Sequence, residues 1–297
     1  MDKLTALRVF TTVVAEDSFA GAAERLGMSR TAVSKHVMDL EAALDARLLT
    51  RTTRRLSLTA TGSSYYERAQ RILSDLEEAD AEASQLTVNP RGHLRINAPM
   101  SFGILHLAPH LRTYLDRYPD VTVDLSLNDR VVDLVEEGFD LAIRIAELQD
   151  SSLIARRIAY TRAALCAAPD YVERHVALED PADLAAHACL TYSNMRDPNV
   201  WAFHRDGREH VVKVKSRMVC NNGDALLAAA ISGVGIIYQP TFIVGSALKT
   251  GSLRELLPDY DAGGFGIHAV YPTNRHLPAR VRTFIDHLVE CFAGRDL

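Results

Sequence analysis

The chain has few of the residues and motifs on which several large protein classes depend. Its four cysteines form no CxxC pair, so we expect buried thiols in a reducing compartment, not disulfides or a cysteine zinc site. They are Cys166, Cys189, Cys220 and Cys291. No run approaches the roughly 20 apolar residues of a membrane span, and the first predicted helix carries acids in place of a signal-peptide pattern. These observations predict a cytoplasmic protein.

Motifs of catalysis are missing as well. The sequence contains no GxSxG, no HExxH and no P-loop, which are the patterns of serine hydrolases, zinc peptidases and nucleotide-binding folds. His106 and His110 are four residues apart, but Pro109 between them and the lack of a neighbouring glutamate weaken a metal site. We therefore expect no enzyme, no cofactor and no metal.

The net charge of −5 hides a basic segment. Residues 1–60 hold nine Lys and Arg against seven Asp and Glu, whereas residues 61–90 hold two against six. The positive charge is concentrated between Arg30 and Arg55. Because the distribution of charge matters more than its total for nucleic-acid binding, this pattern favours a DNA-binding head on an acidic body.

One stretch in that segment is predicted to be a DNA-reading helix. Ser29 can cap its start, and apolar residues follow at steps of four, three and four. They are Val33, Val37, Leu40 and Leu44. The opposite face begins with Arg30, Thr31, Ser34 and Lys35, whose side chains suit phosphate oxygens and base edges. The alternative is an ordinary amphipathic surface helix.

The flanking segments favour the DNA-reading interpretation. An apolar helical stripe precedes a short helix capped by Ser18, and Gly27 forms a tight turn before Ser29. Helix, short helix, glycine turn and polar-tipped helix are the plan of a helix-turn-helix domain.

Residues 48–58 are predicted to form a small two-stranded hairpin, or wing. Its candidate DNA contacts are Arg51, Thr53, Arg54 and Arg55. Arginines on a wing can reach flanking phosphates or a narrow, electronegative minor groove. The alternative is a solvated basic loop, but the position beside the predicted recognition helix favours the DNA role.

These segments resemble the LysR-type transcriptional regulators. The resemblance rests on FAGAAERLGMS at 19–29, AVSK at 32–35 and LLTRTTRRLSLTATG at 48–62, together with the spacing between them. It implies a winged helix-turn-helix domain and supports Arg54 as the minor-groove residue. Arg30 and Thr31 depart from the Gln-Pro often found at these positions in the family, so base preference there is not carried over.

A long helix is predicted to follow, with Thr59 as its cap. Its apolar residues repeat with the four-three spacing of a heptad seam. They are Tyr65, Ala69, Ile72, Leu76, Ala79, Ala83 and Leu86. So regular a stripe predicts pairing with a second copy of the chain, and packing on the chain's own domain is the alternative. A dimer would read an interrupted palindromic operator.

Strands and helices alternate beyond the helix-breaking segment at 89–92. The pattern predicts, among other elements, two separate strands at 153–158 and 162–167 and a helix at 131–136. Alternation of this kind predicts an α/β fold with mostly parallel sheets.

The layout also resembles the two-lobed, periplasmic-binding-protein-like effector domain of the same family. We therefore expect a DNA-binding domain at 1–59, a linker helix at 60–89 and an effector-binding domain at 90–297. Lobe one would comprise 91–162 and 267–297, and lobe two would comprise 163–266.

Small ligands of open α/β sheets lie where strands end and helices begin. Four such places give the candidate effector residues: Pro99, Met100, Ser101 and Phe102; Asp129; Arg144; and Cys220, Asn221, Asn222 and Gly223. Ser101 is placed to cap a helix and bind an anion, with a cap alone as the alternative. Arg144 can hold a carboxylate, with a structural salt bridge as the alternative.

The expected function is a transcriptional regulator that binds double-stranded DNA and responds to a small carboxylate effector as a homodimer or homotetramer. Tyr192, Trp201, Phe203 and Tyr238 either line the effector cleft or belong to the core. An enzyme with a DNA-binding head and a purely architectural DNA binder are the competing classes. Turnover of a small acid would support the first, and no response to any metabolite would support the second.

Overall fold

The computed structural model describes residues 2–51, 56–83, 89–146, 153–272, 277–294 and 297, excluding the side chains of residue 51 and residues 77–83. The chain divides into two compact units, Met1–Gly92 and His93–Leu297. None of the helices in the described ranges is long and apolar enough to cross a membrane.

The first unit opens with three helices. They are α1 (Lys3–Ala15), α2 (Phe19–Leu26) and α3 (Arg30–Leu44). Each begins at a residue whose side chain accepts backbone N–H groups of the first turn, namely Asp2, Ser18 and Ser29, which stabilises the helix start. Gly27 ends α2 in the left-handed conformation with φ 63° and turns the chain into α3. The structure thus contains the predicted helix-turn-helix.

A hairpin and a long helix complete this unit. They are β1 (Leu49–Arg51), β2 (Leu56–Leu58) and α4 (Ala60–Ala83), with β1 antiparallel to β2. Glu41 of α3 accepts the N–H groups of Leu48 and Leu49 at 2.8 and 3.1 Å, which fixes the hairpin to α3. The Thr59 hydroxyl accepts the N–H of Gly62 at 2.9 Å and so starts α4.

The residues of the predicted heptad seam differ in burial along α4. Its first residue, Tyr65, packs on Phe10 of α1 with ring centroids 5.9 Å apart, and Ala69 is buried. Ile72 remains 51% exposed. The last three seam positions lie outside the described side chains. The beginning of the stripe therefore packs within its own unit, whereas Ile72 is exposed and Leu76 is half-buried.

The second unit is built on a mixed sheet. Its strands are β3 (Gly92–Ala98), β4 (Val121–Leu127), β5 (Leu141–Ile145), β6 (Leu153–Ala167), β7 (Cys189–Tyr192), β8 (Val200–Arg205), β9 (Arg208–Lys213), β10 (Ser216–Cys220), β11 (Ile236–Pro240), β12 (Arg254–Glu255) and β13 (Gly264–Pro272). The sheet order is β10-β7-β11-β6-β13-β5-β3-β4, with β12 also paired to β6, while β8 and β9 form a separate hairpin.

Helices cover this sheet. They are α5 (Met100–Phe102), a π-helical turn (Gly103–Leu107), α6 (Ala108–Arg117), α7 (Pro169–Arg174), a 3-10 helix (Pro181–Ala186), α8 (Gly223–Ile231), α9 (Thr241–Thr250) and α10 (Ala279–Phe292). Fully buried Leu94, Ile96, Phe102 and Phe284 belong to its main core.

Strand β6 joins two halves of the sheet. Its first part pairs with β13, and its last residues pair with β11 and β12. We refer to the half that contains β3, β4, β5 and β13 as lobe one, and to the half that contains β7, β10 and β11 as lobe two.

Three predictions for this unit are wrong. Residues 153–167 form one strand, because each part of it finds a different partner. Residues 131–133 have no regular structure and residues 134–138 form a turn, so the predicted helix at 131–136 is absent. The sheet is mixed, since β5, β6, β11 and β13 meet in antiparallel pairs, whereas β3 with β5 and β7 with both β10 and β11 are parallel.

Candidate functional site

The polar face of α3 is open to solvent. Arg30, Thr31 and Lys35 are exposed and Ser34 is half-buried. On the opposite face Val33, Val37 and Leu40 are fully buried against the helical core. Burial of one face anchors the helix and leaves its basic and hydroxylated N-terminal half exposed, which is the arrangement of helices that enter a groove of DNA.

The structure describes the base of the wing. Arg51 belongs to β1, but its side chain is outside the described part, as are Thr53, Arg54 and Arg55 entirely. Their roles stay predictions. Gly62 fits close beneath the wing, since a Cβ atom there would lie 1.9 Å from the carbonyl oxygen of Leu48.

A second candidate site lies where parallel strands of the two lobes end. The turn Pro99–Phe102 follows β3 of lobe one, and the turn Asn221–Gly223 follows β10 of lobe two. Gly223 is close enough to Ser101 that an added Cβ would lie 3.6 Å from the Ser101 hydroxyl oxygen. The structure therefore brings together two of the turns that were predicted to face each other.

Ser101 has a different role from the predicted helix cap. Helix α5 has no side-chain cap at its start. The buried hydroxyl of Ser101 lies 2.8 Å from the Asp224 carboxylate, in the first turn of α8. Since an ionised carboxylate only accepts, the hydroxyl donates to it. Sequence reasoning missed Asp224, although its place directly after the Asn222-Gly223 turn was a usable signal.

Asp129 forms a second junction between the lobes. Its carboxylate accepts the N–H of Met100 at 2.8 Å, and its carbonyl accepts the side-chain amide of Asn194 from lobe two at 2.9 Å. Burial, together with the nearby Asp129 charge, raises the pKa of Tyr192 to about 12. Asn194 was not predicted, because nothing in its loop sequence marks it.

Arg144 is half-buried near the end of β5. Its guanidinium donates to the side-chain oxygen of Asn97 at 2.9 Å and to the carbonyl of Val132 at 3.4 Å. In the described part of the chain no carboxylate forms a salt bridge with it, so the predicted alternative of a structural ion pair finds no support there. Burial lowers the pKa of this guanidinium, an effect that Glu137 partly offsets.

The remaining predicted residues fall into different environments. Asn221 is exposed, Cys220 is half-buried and Met100 is 38% exposed. Phe102 is fully buried in contact with Phe242 and Phe292, so its side chain belongs to the core.

The aromatic candidates of lobe two also lie in two different environments. Trp201 and Phe203 are buried in a separate core cluster, with Tyr238 packed against it, whereas Tyr192 lies beside Asp129. Across the described residues, no group of three or more His, Cys, Asp or Glu is arranged to hold a metal ion.

The two units together define a helix-turn-helix protein with an α/β substrate-binding domain. The family model for the bacterial regulatory helix-turn-helix protein, lysR family, matches residues 4–63, and that for the LysR substrate binding domain matches residues 88–293. The chain belongs to the LysR-type transcriptional regulators.

Known relatives agree over nearly the whole length. An uncharacterized HTH-type transcriptional regulator of Haemophilus influenzae is 42% identical over 281 residues, covering 95% of this chain and 98% of that protein. An HTH-type transcriptional repressor of Pseudomonas aeruginosa is 36% identical, covering 99% and 93%. The structure of CrgA, a LysR-type regulator from Neisseria meningitidis, matches with TM-score 0.63 and 34% identity over 98% of this chain and 99% of that one. The family and these relatives are transcriptional regulators, not enzymes.

Proposed function

We propose that this regulator reads a specific DNA sequence with α3 and the wing, and that a small anionic effector bound between its lobes changes that activity. The observation that carries the proposal is the division of α3 into a fully buried apolar face and an exposed polar face. A protein that acts on DNA in this way would work in the cytoplasm of a bacterium.

The DNA contacts divide into two kinds. Arg30, Thr31, Ser34 and Lys35 supply the groove contacts of α3, in which donors and acceptors read base edges and phosphates. The wing residues Arg51, Thr53, Arg54 and Arg55 supply flanking contacts, with Arg54 in the minor groove.

The effector site lies at the strand ends of the two lobes. Arg144 is the group for a carboxylate, because it is a half-buried cation whose observed partners are neutral oxygens and a guanidinium can take a carboxylate in a bidentate geometry. An effector that contacts both lobes favours their closed arrangement. It changes DNA binding only if its affinity differs between the two states of the protein.

The proposed dimer is based on the apolar seam of α4 and on the two-fold symmetry of operators. We infer that residues 60–89 pair two chains, with Ile72 in the contact, and that the dimer or a dimer of dimers reads an interrupted palindrome. The proposed domain boundaries are 1–59 for DNA binding and 90–297 for effector binding. Within the effector domain, lobe one comprises 91–162 and 267–297, and lobe two comprises 163–266.

The DNA-binding part of the proposal is tested by measuring affinity for a DNA duplex. The duplex is one that the purified protein selects from a random pool of sequences. Lys35→Ala should weaken binding about tenfold and lower the salt slope of the affinity by about one, because one phosphate contact is lost. Arg8→Ala, which removes another exposed cation, on α1, is the matched control and should have no effect. Equal affinities for wild type, Lys35→Ala and Arg8→Ala would contradict the placement of α3 on DNA.

A further inference from the structure

The polar groups around Ser101 indicate one further property of the effector. We propose that the effector is a carboxylate that also carries a hydrogen-bond donor, a hydroxyl or an ammonium group, and that this donor binds at Ser101 and Asp224. The proposal rests on the effector site proposed above and names the chemical class that the site accepts.

The Ser101 hydroxyl has one proton, and that proton is already used. It points to the Asp224 carboxylate across 2.8 Å. A hydroxyl has one donor and two acceptor positions, and an ionised carboxylate has acceptor positions only. A ligand group that approaches this pair therefore meets acceptors, and it must donate to form a hydrogen bond.

Two other donors nearby, one on Met100 and one on Asn222, are used in the same way. The N–H of Met100 is held by the Asp129 carboxylate at 2.8 Å. The side-chain amide of Asn222 donates to the Met100 sulfur at 3.5 Å, and its oxygen accepts the N–H of Ala225 at 2.9 Å. These contacts use the Met100 N–H and one proton of the Asn222 amide, so neither of these is open to an anion in this arrangement.

Acceptors are in excess at the same strand ends. The buried side-chain oxygen of Asn128 accepts no hydrogen bond from any described residue, and its neighbour Asp129 and Asp224 both carry carboxylates. A bare carboxylate at this place would be repelled by these charges. A hydroxyl or ammonium group there would satisfy acceptors that are costly to leave unpaired.

The carboxylate of the effector has a separate place. Strands β3 and β5 are parallel, with Asn97 paired to Ala142. Arg144 lies two residues beyond Ala142, as Pro99 lies two residues beyond Asn97, so the Arg144 backbone lies at the same strand ends as the Ser101 turn, and its guanidinium donates to Asn97 of β3. One end of the site is cationic and the other is rich in acceptors, which complements a hydroxy acid or an amino acid.

Two matched sets of compounds test the proposal. Each set keeps one skeleton and changes one group: propanoate, lactate and alanine, and phenylacetate, mandelate and phenylglycine. Calorimetry and melting shifts of the full chain should show that, in at least one set, the hydroxy or amino member binds ten-fold or more tightly than the unsubstituted acid. The comparison of hydroxyl with ammonium then identifies which donor the site takes.

Two variants test whether the preference for a donor-bearing effector depends on Asp224. Asp224→Asn should weaken the donor-bearing member at least ten-fold and reduce its advantage over the unsubstituted acid, because a donating amide replaces a charged acceptor. Asp116→Asn, an exposed change on α6, should leave all affinities unchanged.

Two results would overturn the proposal in distinguishable ways. If the unsubstituted acid binds as tightly as its substituted partners, the donor requirement is wrong but the anionic effector stands. If no compound of either set binds, the proposed carboxylate class fails together with this inference, and the DNA measurement with Lys35→Ala decides the rest independently.

Discussion

The two units of the chain place their functional residues in opposite ways. In the first unit α3 carries its polar face within Arg30–Lys35, and Ser29 next to it caps the same helix. In the second unit Ser101 meets Asp224 across 123 positions of sequence. Local caps and helical periodicity determine the first site, whereas the second exists only after two lobes have been assembled. The first unit is therefore open to sequence reasoning to a degree that the second is not.

The largest expected effect comes from a glycine in the first unit. Gly62→Ala places a Cβ 1.9 Å from the Leu48 carbonyl oxygen, so the wing must move away from α4. We expect a loss of about 3 kcal/mol in the unfolding free energy of this unit, at the upper end of ordinary overpacking costs. Urea unfolding followed by far-UV circular dichroism measures it.

The second unit offers the matched control. Gly245 lies within helix α9, and an added Cβ there meets nothing within 4 Å. Gly245→Ala should therefore stabilise its unit by about 0.5–1 kcal/mol, because alanine is the better helix former. Trp201, the single tryptophan, reports on this unit alone. We predict that the two units unfold separately, so Gly62→Ala should leave the tryptophan fluorescence transition unchanged, and a shifted transition would contradict this prediction.

Some elements of the fold could be predicted from the sequence and others could not. The caps at Ser18 and Ser29, the Gly27 turn and the buried stripe of α3 are all confirmed, because each depends on residues within one or two helical turns. The single strand β6 and its antiparallel partners were missed, since neighbours in a sheet are chosen by tertiary packing.

The candidate effector site was predicted in part. The Pro99–Phe102 and Asn221–Gly223 turns do lie together, because strand ends of an α/β sheet share one edge. The direction of the Ser101 hydroxyl was not foreseeable, since it depends on Asp224 of the other lobe. Phe102 was assigned to the site from its position alone, and its burial follows from packing with α9 and α10.

A smaller effect concerns the thiols, all of which belong to the second unit. Burial raises the pKa of Cys166 and of Cys189 from 9.0 to about 12, which lowers the thiolate fraction of each roughly a thousandfold. At pH 8 iodoacetamide should modify half-buried Cys220 and Cys291 first, as mass spectrometry would show. The Gly62→Ala variant should show the same order of cysteine modification, because its substitution lies in the first unit. Rapid labelling of Cys166 in that variant would show that the change in the first unit disturbs the second.

The central claim is that one unit binds DNA while the other binds an effector that changes this binding. The most direct measurement is the affinity of wild type and Arg144→Gln for the selected duplex, with and without the carboxylate that shifts the melting temperature most. We predict equal affinities without the carboxylate, and a response to it in the wild type only. Weaker DNA binding by Arg144→Gln without ligand, or an undiminished response to the carboxylate, would contradict the account.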